Sequence, residues 1–479
     1  MMRKNLILSF VQRHLQLLVS VASVIVLSRL VSPEETGTFS IGVAIAALTH
    51  AVRDFGVGNF LIKEAEITIQ KIQTAFTVSM IIAIGLSLVL LGVSVPVARF
   101  YGKPEIATVI WLTTLGLLIS PLSTVNLALL LREGRFKDMF KISIASAFAN
   151  AGVSIFFAWR GMGATALALG AFAQSAALVI VSNLLMRDFA MYRFSLSYWR
   201  QISHFGTHMA VSGVADQMGG RASDLIVGKL VGFSAVGLLS RSGTLITMVQ
   251  DSMQSSVMPV ILTSMAEDTR KTGNILPLLL KSISYFTVIM WPIFALISIY
   301  AHDAILVLFG AKWVGASPYT SVLCIGAGFA VMSSFTSTIC NVANKAHLLS
   351  RYSLTVQGMR VLLVAVGAAM TDLIRVVEML VLAEIIQCVL AFFCVRQAVA
   401  IDVRRIVANC WRSLVVMALV TAVMLPLSSV LDYPALVRLI VVGIAGVLAW
   451  LCAVMVVRHP IAQELQIIYG HIAGRLRPT

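Results

Sequence analysis

Fourteen stretches of about twenty mainly apolar residues run through this chain, and that is the length a helix needs to cross a bilayer. They lie near residues 6–30, 38–61, 74–97, 106–131, 141–159, 163–186, 207–231, 236–262, 282–301, 318–341, 349–370, 373–399, 412–431 and 435–457. The polar breaks are short, and the longest, about residues 187–206, is too small for an independent domain. Of the 479 residues, 59% are hydrophobic and 12% charged, about half the charge of a soluble domain. So little charge cannot cover a water-facing surface, which excludes a cytosolic enzyme, a secreted domain and a disordered chain together. No regular apolar–polar alternation recurs, so the expected class is an all-α integral membrane protein of about fourteen transmembrane helices.

The net charge of +15 would suit a nucleic-acid partner only if it were gathered on one soluble face. Instead it follows topology. With the N-terminus cytoplasmic, 23 of the 36 Lys and Arg residues fall on inner segments, 7 on outer ones and 6 inside spans. Both termini are therefore expected inside, in a bacterial cytoplasmic membrane. The basic start, Met1 to Lys4, leads into an apolar run that Arg13 and His14 interrupt and no small-residue cleavage site closes. It reads as a retained first span rather than a removed signal peptide. The six cysteines, Cys324, Cys340, Cys388, Cys394, Cys410 and Cys452, form no CxxC pair and read as small hydrophobes.

An internal repeat organises the spans. Arg29-Leu30-Val31 leads to Gly37 and Ser40; 200 residues later Lys229-Leu230-Val231 leads to Gly237 and Ser240. Val52-Arg53-Asp54 matches Val249-Gln250-Asp251 at an offset of 197, and Phe100-Tyr101-Gly102-Lys103 loosely echoes Phe309-Gly310-Ala311-Lys312. Six spans per repeat restore the starting side, so the halves are parallel and related by an axis along the membrane normal. The expected division is a bundle over 1–200, a second over 201–400, and two further helices with a tail over 401–479.

Ionisable residues at bilayer depth are costly and usually face a cavity. Here they are Arg13, His14, His50, Arg53 and Asp54, then Asp216, Arg221, Asp224, Lys229, Arg241, Asp251, Arg360 and Glu384. Arg13, Arg53, Arg221 and Arg360 are the deepest basic groups, and guanidinium forks suit a phosphate headgroup in a cationic cavity. The plainer reading is internal pairing: Arg221 can reach Asp224 at i+3, and Arg53 sits beside Asp54 near the end of its span. Glu384 and Asp224 are candidate coupling acids, although a packing hydrogen bond serves Glu384 equally well. No cofactor or metal is expected. Asp54-Phe55-Gly56 lacks every other kinase element, and Gly161-Met162-Gly163 lacks a third glycine and a preceding strand. His204 and His208 lack a third ligand, and no Walker A sequence is present.

Leu27-Ser28-Arg29-Leu30-Val31-Ser32-Pro33-Glu34-Glu35-Thr36-Gly37 resembles the opening signature of bacterial polysaccharide flippases of the MOP superfamily. Asp54-Phe55-Gly56-Val57-Gly58, Phe100-Tyr101-Gly102, Arg135-Phe136 and Gly161-Met162-Gly163 follow in that family's order. Ile226-Val227-Gly228-Lys229-Leu230-Val231-Gly232 with Ala235-Val236-Gly237 resembles the start of its second half. Leu238-Leu239 stands where an aromatic commonly follows that glycine. The resemblance implies a V-shaped pair of six-helix bundles that flips undecaprenyl-diphosphate-linked sugars outward by alternating access, for O-antigen, exopolysaccharide or capsule. It implies a lipid-linked oligosaccharide substrate, surrounding membrane lipid, and partner proteins of polysaccharide assembly such as a polymerase and a chain-length regulator. The alternatives are a cation-coupled drug or metabolite exporter of the same superfamily, which calls for an acidic cavity, and a glycan polymerase or ligase. A polymerase needs a large outer loop, whereas the longest here, about residues 302–317, offers only His302, Asp303 and Lys312. A membrane scaffold without transport is the remaining option.

Overall fold

The computed structural model describes residues 2–53, 57–64, 66–186, 189–272, 276–343, 345–399, 403–430, 433–464 and 466, with side chains throughout except at 2–14, 48, 50–53, 189–190, 204–216, 218, 255–272, 346, 403–407 and 429–430. In chain order the helices are α1 (Met2–Leu30), α2 (Pro33–Arg53), α3 (Val57–Lys63), α4 (Ile69–Tyr101), α5 (Glu105–Ile119) and α6 (Pro121–Arg132). Next come α7 (Phe136–Trp159), α8 (Gly163–Met186), α9 (Trp199–Leu230), α10 (Phe233–Thr272), α11 (Leu276–Ile299) and α12 (Ala301–Phe309). The last six are α13 (Ser317–Ser333), α14 (Thr336–Val342), α15 (Ala346–Ala369), α16 (Leu373–Val399), α17 (Val403–Val430) and α18 (Ala435–Val456). Among the described residues there is no strand. Each of the fourteen apolar runs falls on a helix or on two consecutive ones. Nine helical stretches among the described residues are long and apolar enough to cross a membrane, ten when α5 and α6, bent by 50° at their junction, count as one. The other four runs fall on α1, on α2 with α3, on α9 and on α10. Those helices carry most of the in-span charges, which lowers their hydropathy.

Polarity is arranged inside out. Along α4, Thr74, Thr77, Ser87 and Ser94 are buried, while Leu88, Val89 and Leu91 are exposed. On α18, Gly446 and Ala453 pack inward and Ile440, Ile444 and Leu448 point out. Lipid is as apolar as leucine, so small side chains that let helices approach take the interior. Thr74, Thr77 and Ser94 bond back to their own helix, as Thr77 Oγ1 does to the Gln73 carbonyl at 2.8 Å.

The chain forms two compact units, Met1–Ser240 and Arg241–Thr479. In the first, local sequence sets the helix ends. Ser32 and Glu35 close a capping box at α2: the Glu35 N–H donates to Ser32 Oγ at 3.3 Å, and the Ser32 N–H donates to Glu35 Oε2 at 2.7 Å. Gly102, at φ 70°, ends α4 in the left-handed conformation. The repeated motif then turns out to be a contact within this unit. A Cβ at Gly37 would fall on the Phe233 carbonyl oxygen, and a Cβ at Gly237 would fall on that of Pro33. The same glycine of each copy thus lets the start of α2 touch the start of α10. Around them Tyr101 OH donates to the Leu225 carbonyl at 3.0 Å, and Lys229 Nζ donates to the Phe100 carbonyl at 2.6 Å while lying 4.0 Å from that ring's centroid.

In the second unit α17 and α18 share a core with α11 built on Val288, Val416, Val420, Met424 and Val442. His459, in the turn beyond α18, is buried against both partner helices. Its Nε2 is 2.9 Å from Ser284 Oγ and 3.3 Å from Ser413 Oγ, while Nδ1 accepts the Ile461 N–H at 3.3 Å. That bond assigns the ring proton to Nε2. Burial first, and then the nearby Arg412, push its pKa down to about 4.

Two outcomes follow from this packing. Gly237→Ala should destabilise the detergent-solubilised chain by about 1–3 kcal/mol, as overpacking does. Gly92→Ala, where a Cβ meets nothing within 4 Å, should cost nothing; thermal melts compare the two. The neutral, buried His459 makes its contribution fully above the ordinary histidine pKa of about 6.5, and that contribution is lost as pH falls toward about 4, because the unfolded chain binds the proton first. Between pH 7.5 and 4.5 the wild type should therefore lose more thermal stability than His459→Gln.

Candidate functional site

α15 and α16 run side by side, and across their seam Arg360 Nη2 donates to Glu384 Oε1 at 2.6 Å. The two side chains are 28% and 16% exposed, so the pair is mostly removed from solvent. Glu384 Oε2 is buried with no hydrogen-bond partner among the described residues. α13 packs against this seam at Gly326, where a Cβ would sit 3.4 Å from both Glu384 Cγ and Val381 Cα.

The pair lines an open pocket of about 480 Å³ within the second unit. One face of α10 forms a wall, since Gly243, Ile246, Thr247, Gln250 and Gln254 recur at helical spacing. α13, α14, α15 and α16 supply the rest, with Ser333, Ser334, Tyr352 and Gln387 among the polar groups. Gln387 Nε2 reaches Ser333 Oγ at 3.4 Å. Among the described residues lining this pocket, Arg360 and Glu384 alone are charged, and they cancel. The other flank of the α13–α16 seam is different in kind. There a pocket of about 590 Å³ is lined by Trp291, Phe294, Phe329, Phe392 and Leu414 with Cys324 and Cys388.

The remaining candidates lie in the first unit. Arg221 and Asp224 are neighbours on α9, but Nη1 to Oδ2 is 3.8 Å and Arg221 is 44% exposed, a loose contact that leaves the guanidinium available. Arg13 is on α1 and Arg53 ends α2; their side chains lie outside the described residues, as do His14, His50, Asp54, His204, His208 and Asp216. Of the in-span charges, Lys229 is held by Phe100 as described above, and Arg241 is buried in the second unit over the rings of Trp313 and Phe309, 5.0 and 5.9 Å from their centroids. Of the cysteines, all but Cys452 are buried. The structure thus joins Arg360 to Glu384 tightly and Arg221 to Asp224 loosely.

Sequence reasoning missed the uncharged part of the pocket. Gln250, Ser333, Tyr352 and Gln387 sit on four helices, and no spacing announces them. It also missed the ion pair of Arg438 Nε with Asp303 Oδ2 at 2.7 Å, which ties α18 to α12. Arg438 and Asp303 are 135 residues apart, beyond any periodicity.

The family described as polysaccharide biosynthesis protein matches residues 26–318. The succinoglycan biosynthesis transport protein ExoT of Rhizobium meliloti (strain 1021) is 24% identical over 305 residues, 63% of this chain and 61% of that protein. The chain therefore spans less than two thirds of that relative's length. The lipopolysaccharide biosynthesis protein WzxC of Escherichia coli (strain K12) is 20% identical over 391 residues, 81% of this chain and 79% of its own. Among solved structures, lipid II flippase MurJ in an inward closed conformation superposes with a TM-score of 0.77 at 12% identity, covering 95% of this chain and 100% of that one. That likeness shows the fold alone, an all-helical architecture shared with that structure.

The ion pair predicts a specific energetic signature. Arg360→Met alone strands the Glu384 carboxylate and should destabilise by about 1–3 kcal/mol. The double variant Arg360→Met/Glu384→Leu should recover most of that loss, because both desolvation penalties disappear together. A denaturation double-mutant cycle in detergent measures the coupling.

Proposed function

The chain belongs to the polysaccharide biosynthesis protein family, and on that footing we propose that it flips a polyprenyl-diphosphate-linked oligosaccharide across the bacterial cytoplasmic membrane for surface polysaccharide assembly. The observation that carries the reading is this family match on a chain whose deepest basic groups, Arg13, Arg53, Arg221 and Arg360, lie in apolar runs of membrane-crossing length. It is a transporter's equipment: no covalent step is asked of any residue. A cation-coupled exporter is the less favoured reading, since the deep acids Asp224 and Glu384 each face an arginine.

In the proposed cycle, Arg13, Arg53 and Arg221 of the first unit hold the diphosphate while the polyprenyl tail stays in lipid. Arg221 supports this role through its exposure and its long contact to Asp224. Arg360, expected from the sequence to join them, is already compensated by Glu384, and ion coupling through Glu384 or Asp224 would work against these same arginines. Alternating access of the two sequence repeats, 1–200 and 201–400, with 401–479 as an addition, changes the open side. Both termini face the cytoplasm, which keeps most of the basic residues inside. An inside-negative potential then favours outward movement of the anionic headgroup by about 2.3 kcal/mol per charge per 100 mV. A polymerase and a chain-length regulator are the partners this role brings.

The test is a leaflet-specific assay in vesicles reconstituted with the full chain and the lipid-linked oligosaccharide that accumulates in cells lacking it. Wild type should move the lipid to the leaflet open to an impermeant reagent, faster with the potential set to favour anion exit. Arg221→Ala should slow this about tenfold or more, the equivalent of one charge-assisted hydrogen bond. Transport no faster than in protein-free vesicles would remove the reading.

A further inference from the structure

The pocket of the second unit is built for a different part of the substrate than its charge. A diphosphate entering it would have to pull Arg360 from Glu384, at 2.6 Å, and leave a carboxylate stranded beside two more negative groups. Nothing else charged lines the pocket among the described residues, so no second cation would repair the loss. What remains is amide and hydroxyl: Gln250 and Gln387 can donate and accept, while Thr247, Ser333 and Ser334, whose hydroxyls donate to their own helices at 3.1, 3.0 and 3.0 Å, keep lone pairs for sugar hydroxyls. Tyr352 adds an aromatic face, and Glu384 Oε2 is an acceptor still without a donor. The volume, about 480 Å³, is in the range of sites for small molecules. The pocket across the α13–α16 seam is lined almost wholly by carbon and sulfur, and its Ser298 hydroxyl already donates to the Ser321 carbonyl at 3.0 Å.

We propose that this pocket is the subsite for an uncharged, hydroxyl-rich sugar of the glycan, with Gln250, Ser333, Gln387 and the Arg360–Glu384 pair recognising its hydroxyls. It rests on the flippase reading and assigns within it a division of labour. The first unit's arginines take the diphosphate, and the second unit reads the sugar. Arg360 thereby serves to align Glu384 as a sugar acceptor.

Gly243 supplies a clean test. It lines the pocket, and a Cβ there meets nothing within 4 Å, so Gly243→Phe starts a ring into the pocket from an unobstructed position. Gln250→Leu keeps the volume and removes one amide, in case the larger side chain perturbs folding. Binding to full-length chain in nanodiscs is measured for the lipid-linked oligosaccharide from cells lacking the protein, and for the same lipid trimmed to the bare diphosphate. Wild type should prefer the glycosylated lipid about tenfold or more, and both variants should shrink that preference while leaving affinity for the bare diphosphate lipid unchanged. Equal weakening of both lipids would place the diphosphate in the pocket and overturn the proposal. So would no effect of either variant, or stronger competition by glucuronate than by glucose. If wild type binds neither lipid, the flippase reading fails, an outcome separate from loss of the sugar preference alone.

Discussion

Hydrocarbon as solvent is the constraint from which the rest of this structure follows. It cannot hydrogen-bond a charge, so every guanidinium and carboxylate inside the bundle has to be answered by protein. Arg360 is answered by Glu384, Arg438 by Asp303, Lys229 by the Phe100 carbonyl and ring, and Arg241 by the faces of Trp313 and Phe309. Arg221 is the loosest of these, at 3.8 Å from Asp224. On a water-exposed surface such pairs would contribute little. Here they decide which charges are free to meet a ligand and which only hold helices together.

The same solvent sorts the uncharged side chains. Along α13, Cys324, Ile325, Gly328 and Phe329 face one pocket, while Leu323, Gly326, Ala327, Ala330, Ser333 and Ser334 face the other. A period of 3.6 residues gives one helix two such faces. α16 divides likewise, Glu384 and Gln387 on the polar side and Ile385, Cys388 and Val389 on the apolar one. Amphipathicity, normally a boundary between core and water, here separates two cavities of opposite chemistry. α13 meets α16 along that boundary at Gly326, beside Val381 and Glu384.

Much of the fold was legible because it rests on local rules. Apolar run length locates the helices, Ser32 with Glu35 marks the start of α2, and Gly102 marks the end of α4. The repeat at an offset of 200 was visible as pattern, but its meaning was not. Only the structure shows that Gly37 and Gly237 are the points where the starts of α2 and α10 meet, with no room for a Cβ at either. For the site, the residue types Arg221, Arg360, Asp224 and Glu384 stood out as charges in apolar runs. Their pairing did not: an i+3 spacing made Arg221–Asp224 foreseeable, whereas Arg360 and Glu384 are 24 residues apart on different helices. His459 and the Ser284 hydroxyl are 175 residues apart, far beyond any periodicity.

By itself, then, the sequence determined that this chain is a helical membrane protein, where its helices run, that one short motif recurs 200 residues on, and which few residues carry charge into lipid. Those properties depend on the solvent's preference for single side chains and on spacings shorter than a helix. The tertiary structure decided which charges are neutralised, which stay available, and that glutamines, serines and a tyrosine from four helices converge on one cavity. An uncharged polar side chain costs too little in a long helix to leave a mark on composition, and its role is created only by which helices are brought beside it.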